Sequence, residues 1–113
     1  MTIDARALVA IIRKEPGFEA VVEQLADDEN PRVPATALAE AAMLLTARGD
    51  DLATITIQIV VDRLHLTVVP FTEGCWRDAV REYERLIQTG DRPALGRCLS
   101  AAVAAKLGAP VVK

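Results

Sequence analysis

The chain has 113 residues, is 51% hydrophobic and carries a formal net charge of −3, enough for one compact domain and not two. The absence of a basic excess excludes broad electrostatic adhesion to nucleic acid, leaving only local basic stripes to touch RNA. With only Trp76, Tyr83, Phe18 and Phe71 as aromatics, a base-stacking platform of the single-strand-binding type is excluded too.

Taken in chain order, Thr2 to Asp4 reads as a short buried strand ending in a lone carboxylate. Ala5 to Arg13 follows as a helix with Leu8, Ile11 and Ile12 at helical spacing, broken by Glu15-Pro16-Gly17. A charged group at that point lies at the carboxyl end of a strand, the edge where parallel α/β sheets bind ligands. Asp4 also suits the N-cap of the helix it precedes. Phe18, Val21, Val22 and Leu25 repeat as a second amphipathic helix, which Asp27 to Pro31 ends. Arg32 to Pro34 reads as a brief strand bracketed by prolines.

Thr36 can cap a helix from Ala37 to Arg48 that is apolar on most sides and therefore buried. Within it stands Glu40, a second acid in an apolar stretch. It could share a polar pocket with Asp4, with divalent metal the first occupant to suspect, or reach back towards Thr36 and the helix dipole. Leu52 to Val61 fits both a strand and a helix; Asp50 and Asp51 form a helix N-terminus, and helix is the reading adopted. Leu66 to Val69 is a strand closed by Pro70. A long helix opens at Thr72 or Glu73 with Trp76, Val80, Tyr83 and Ile87 along one side. A final alanine-rich helix spans about Ala94 to Leu107, capped by Gly108, and Ala109 to Val112 begins a last strand. Strands alternating with helices predict an α/β, three-layer α/β/α fold over the single domain 1–113, a short parallel sheet covered on both faces.

Several residues admit plainer readings. Arg77, Arg81 and Arg85, with Arg92 beyond them, could be an RNA-phosphate stripe. Glu73, Asp78, Glu82 and Glu84 stand among them, and a solvated, internally paired face is the favoured reading. His65 reads as a surface or capping residue, and Trp76 and Tyr83 as core or dimer contacts. Cys75 and Cys98 read as reduced thiols, and Ser100 has no nucleophilic triad around it. No signal peptide and no membrane span are expected, which implies a cytoplasmic protein.

Four blocks together carry a resemblance. Ile3-Asp4-Ala5-Arg6-Ala7-Leu8-Val9, Ala35-Thr36-Ala37-Leu38-Ala39-Glu40-Ala41-Ala42, Val68-Val69-Pro70-Phe71-Thr72, and Leu95-Gly96-Arg97-Cys98-Leu99-Ser100 leading to Lys106-Leu107-Gly108-Ala109-Pro110 resemble, in order and spacing, the PIN-domain family, in particular VapC toxins of toxin–antitoxin pairs. The resemblance implies an endoribonuclease whose acid cluster holds Mg²⁺ or Mn²⁺, with Asp4 and Glu40 matching two of the acids as catalytic and metal-binding groups. It implies a cognate antitoxin docked on the helices Leu8 to Ile12 and Phe18 to Leu25, an RNA substrate, and a homodimer or higher assembly through the last two helices.

The sequence also departs from the family pattern. Arg97 stands where the family has its third acid, Arg6 stands where it has Ser, and relatives continue past Lys113 into a further acidic loop and final elements. Asp4 and Glu40 facing Arg6 and Arg97 would be nearly neutral, with bidentate pairs available. This predicts metal affinity, and with it nuclease activity, that is weak or absent, unless Asp91 swings in. The alternative function is then a catalytically inactive PIN-fold module that binds an antitoxin or itself.

Overall fold

The computed structural model describes residues 1–108 and the backbone of 111–112. Its elements are β1 (Thr2–Ile3), α1 (Ala5–Arg13), α2 (Phe18–Ala26), β2 (Arg32–Pro34), α3 (Ala35–Ala47), α4 (Ala53–Arg63), β3 (Thr67–Val69), α5 (Trp76–Gln88), α6 (Leu95–Leu107) and β4 (Val111–Val112). The four strands form one parallel sheet in the order β3-β2-β1-β4. Thr2 pairs with Arg32 on one side and with Val111 on the other, and Val33 pairs with Val68.

The chain steps outward from β1 to β2 to β3, then returns through α5 and α6 to place β4 on the opposite side of β1. The strand order therefore reverses at β1, and the crevice beyond the carboxyl end of β1 is where such a sheet binds ligands. Asp4 is the first residue past that end.

Two apolar clusters hold the layers. Ile3, Leu8, Leu25, Val33 and Leu45 are fully enclosed together with α4's inward face, and Cys75, Ala79, Ala102 and Val103 form the second cluster between α5 and α6. α6 also packs against α3 and β2, closing the crevice from one side.

The helix over the ambiguous segment forms as α4. Its start differs from expectation: Asp50 Oδ1 accepts from the Leu52 amide at 2.9 Å in a turn, and Leu52 itself stands at the N-cap. Thr36 does not cap α3. Pro34 ends β2 and is at once the N-cap, so Thr36 already lies inside the helix, and its hydroxyl bonds instead to Ser100 Oγ at 2.8 Å, tying α3 to α6. The long helix is reached through a tight 3₁₀ turn, Glu73–Cys75, before α5 begins at Trp76. His65 sits just past α4 with φ of 54°, a left-handed position that ends the helix, as its place in the sequence predicts. Val111 and Val112 form the final strand, as expected, and Ala109 and Pro110 lie outside the described residues.

The early helices are less open than the resemblance implies. Leu8 and Leu25 are core residues, and Ile11, Ile12 and Val21 pack half-buried against that core. The exposed apolar side chains of this half of the molecule lie instead on α3 and α4 and between them, at Met43, Leu44, Leu52, Ile55 and Ile59.

Candidate active-site cleft

A cleft of about 380 Å³ opens where β1 ends, and Asp4, Arg6, Glu40 and Arg97 all line it. Four charged side chains separated by as much as 93 positions of sequence thus share one hollow. Each has a local reason to be there. Asp4 leaves β1 with extended backbone and caps α1, its Oδ1 accepting from the Ala7 amide at 2.9 Å. Arg6 lies in the first turn of α1. Glu40 projects from the second turn of α3, and Arg97 from the first turn of α6. Ala94, Ala101, Ala104 and Ala105 make the α6 wall shallow, and Gly96 makes room for Glu40. A Cβ on Gly96 would lie 3.0 Å from Glu40 Cδ and 3.1 Å from Oε1.

The capping and pocket-lining readings of Asp4 are therefore both correct: one carboxylate oxygen serves the helix, and the residue still lines the cleft. The bidentate guanidinium–carboxylate pairs expected from the sequence do not form. Among the described residues, no ion pair within 4.0 Å joins these four side chains. Arg6 and Arg97 remain exposed and act through space. Burial pushes the Glu40 carboxyl above its ordinary value and the Asp4 carboxylate adds to the rise, while Arg6 and Arg97 pull it back down.

An acid whose folded-state pKa is raised binds its proton more tightly folded than unfolded. Its contribution to stability is then best at low pH and declines as pH rises from about 4.5 through the raised value. Glu40→Gln is accordingly expected to raise the melting temperature at pH 7, with the gain shrinking towards pH 4. Thermal melts across that range check it, and a variant that melts below the parent at pH 7 refutes the burial account.

The residues present do not suit a divalent ion. Among the described residues, no group of three or more His, Cys, Asp or Glu side chains is placed to hold one. Ligand number alone does not decide the matter, since Mg²⁺ is commonly held by one or two carboxylates with water and phosphate. Charge does decide it: two carboxylates share the cleft with two permanently charged guanidiniums. Asp91 brings no help. Its Oδ2 accepts from Thr89 Oγ1 at 3.0 Å in the α5–α6 turn, outside the cleft.

The other candidate residues lie elsewhere. Arg81 pairs with Asp78 at 2.8 Å, Arg85 with Glu82 at 2.6 Å, and the Arg77 guanidinium stacks 4.8 Å from the Trp76 ring centroid. Arg92 is exposed in the following loop, and none of these four arginines lines the cleft. Arg81 and Arg85 thus have the internal acidic partners that the solvated-face reading expects. Cys75 and Cys98 are free buried thiols, and burial pushes the Cys98 thiol up. Trp76 is exposed rather than core. Gly96, the Thr36–Ser100 link and the α6 alanines are site features that no sequence motif marks; the alanine-rich composition of α6 is the signal they leave.

A short parallel sheet between helical layers, with acids in the crevice at its strand-order reversal, defines an α/β/α class of fold. The family model described as PIN domain matches residues 1–113, and the chain belongs to that family. It is 28% identical over 107 residues to a VapC ribonuclease of Mycobacterium bovis and, with the same figures, to Ribonuclease VapC28 of Mycobacterium tuberculosis, covering 92% of this chain and 80% of each relative. Among solved structures, VapBC2 from Rickettsia felis, bound to a DNA fragment from its promoter, superposes with a TM-score of 0.76 at 20% identity, covering 99% of this chain and 85% of that one. VapC20 of Mycobacterium tuberculosis, a Sarcin-Ricin loop cleaving toxin, gives 0.69 at 16% identity, covering 95% and 82%. Among the described residues, no helix is long and apolar enough to cross a membrane.

Proposed function

We propose that this chain is a VapC-like component of a toxin–antitoxin pair that binds an antitoxin and RNA in the cytoplasm, and whose Mg²⁺- or Mn²⁺-dependent ribonuclease activity is weak or absent. The observation that carries this reading is the composition of the cleft: Asp4 and Glu40 meet at the sheet's switch point, as a ribonuclease of this family requires, but Arg6 and Arg97 meet them there. Relatives named VapC ribonucleases and a VapBC neighbour support the antitoxin and the RNA. The second reading, a PIN-fold module without catalysis, draws on the same two arginines. Incubating the protein with a structured RNA and Mn²⁺ separates the readings from an active enzyme. Cleavage no faster than the protein-free control is expected, and cleavage that disappears in Asp4→Asn overturns the reading.

Self-association is part of the proposal. Trp76, Val80, Tyr83 and Ile87 form a stripe on α5, with Trp76, Val80 and Ile87 exposed and Arg77 and Glu84 on one flank. Laid antiparallel on a second copy, the stripe sets Trp76 against Ile87, Val80 against Tyr83 and Arg77 against Glu84, a pairing that a twofold axis permits. Light scattering should give a dimer that Val80→Glu converts to monomer; a monomeric parent protein contradicts this.

A further inference from the structure

We propose that the cleft grips a phosphate group of RNA directly on Arg6 and Arg97, in the place a divalent cation would take; the identity of the ligand as RNA rests on the reading above.

Three independent features converge on an anion. Arg6 and Arg97 flank the cleft from the first turns of two different helices, exposed and in no ion pair within 4.0 Å among the described residues. A guanidinium keeps its charge and presents donors in a fork that fits phosphate oxygens, whether or not a metal is present. The α6 N-terminus opens into the same hollow, and its N-cap, Ala94, supplies no side-chain oxygen to the first-turn amides. Those amides turn the positive end of the helix towards the hollow, where the Glu40 carboxyl lies beside Gly96. Thr2, 1% exposed and lining the cleft, has a buried hydroxyl with no hydrogen-bond partner among the described residues, an unsatisfied polar group in the cleft wall. The remaining wall is mostly alanine with Ile3, Pro34, Gly108 and Ser100, and the Ser100 hydroxyl is already engaged with Thr36 Oγ1 at 2.8 Å. At about 380 Å³ the space admits a phosphate with part of its sugar.

The two carboxylates set the sign of the test. If a cation bridges the cleft and the phosphate, Glu40 is a ligand and its loss weakens binding. If the arginines hold the phosphate, Glu40 is a neighbouring like charge, and its loss leaves binding unchanged or tightens it. The arginines have the opposite signature: removing Arg97 favours a cation and disfavours a phosphate.

Fluorescence anisotropy of a short labelled RNA hairpin, titrated in EDTA and again in Mg²⁺, reads both. We expect saturable binding in EDTA that changes less than about twofold with Mg²⁺. Arg6→Gln and Arg97→Gln should each weaken it about tenfold or more, the effect of losing one charge-assisted contact, and Glu40→Gln should not weaken it. Amide NMR spectra of each variant establish that the fold is intact. Binding that appears only with Mg²⁺ and is lost in Glu40→Gln overturns the proposal while leaving RNA as the ligand. Binding indifferent to both arginine substitutions also overturns it. An RNA that binds in neither buffer removes the proposal and the RNA part of the proposed function together.

Discussion

Replacing Arg97 with Asp is expected to turn the cleft into a metal site. The substitution exchanges a positive for a negative charge beside Asp4 and Glu40, which already line the same hollow. A divalent ion about 5 Å from a unit charge interacts with it by about 7 kcal/mol at an effective dielectric of 20. Solvent and salt screen most of this, yet a fifth of it already amounts to tenfold in affinity. Arg97 is exposed and occupies the first turn of α6, where an acid is favoured by the helix dipole, so the fold should accept the change. Arg97→Asp should bind Mn²⁺ at least tenfold more tightly than the parent chain in a calorimetric titration. Equal affinity in the two proteins would mean that Arg97 does not govern the charge of the cleft.

The largest stability effect is expected at Leu8. Its side chain is fully enclosed among Ile3, Val33 and the inner faces of α3 and α4. Truncation to Ala removes buried apolar surface and leaves a hollow in close-packed surroundings, which costs about 2–5 kcal/mol. For a chain of this size that lowers the melting temperature by roughly 10 °C or more. Leu8 also anchors the helix whose first turn carries Arg6 and whose N-cap is Asp4, so the variant should lose cleft binding at temperatures where the rest of the fold persists. A loss below about 1 kcal/mol by chemical denaturation would show that Leu8 is an accessible partner surface, as the resemblance to antitoxin-binding relatives implies, and not core.

What the sequence disclosed and withheld follows from the range of the forces involved. Local signals carried the elements: the period of Phe18, Val21, Val22 and Leu25, the break at Pro16-Gly17 and the glycine at position 108 act within a turn or two of chain. The alternation of strands and helices carried the parallel sheet, because parallel strands need crossovers. Asp4, Glu40, Arg6 and Arg97 were legible as one group through the resemblance, since no periodicity links residues so far apart.

Tertiary contacts were not legible. Thr36 looks like a cap from its neighbours alone; only the direct passage of β2 into α3 at Pro34 places it inside the helix and turns its hydroxyl to Ser100. The expected arginine–carboxylate pairs failed for a similar reason. Charge counting gives neutrality but not distance, and Glu40 is directed against the glycine of α6 rather than into a guanidinium fork. The burial of Leu8 and Leu25 likewise depends on which neighbouring helices cover them, which their own spacing does not encode.

The central claim is that Arg6 and Arg97 balance the charge of the cleft without a cation. Calorimetric titration of the unmodified protein with Mn²⁺ tests it most directly. The account predicts no saturable heat in the micromolar range; a single site of micromolar affinity that vanishes in Asp4→Asn would contradict it.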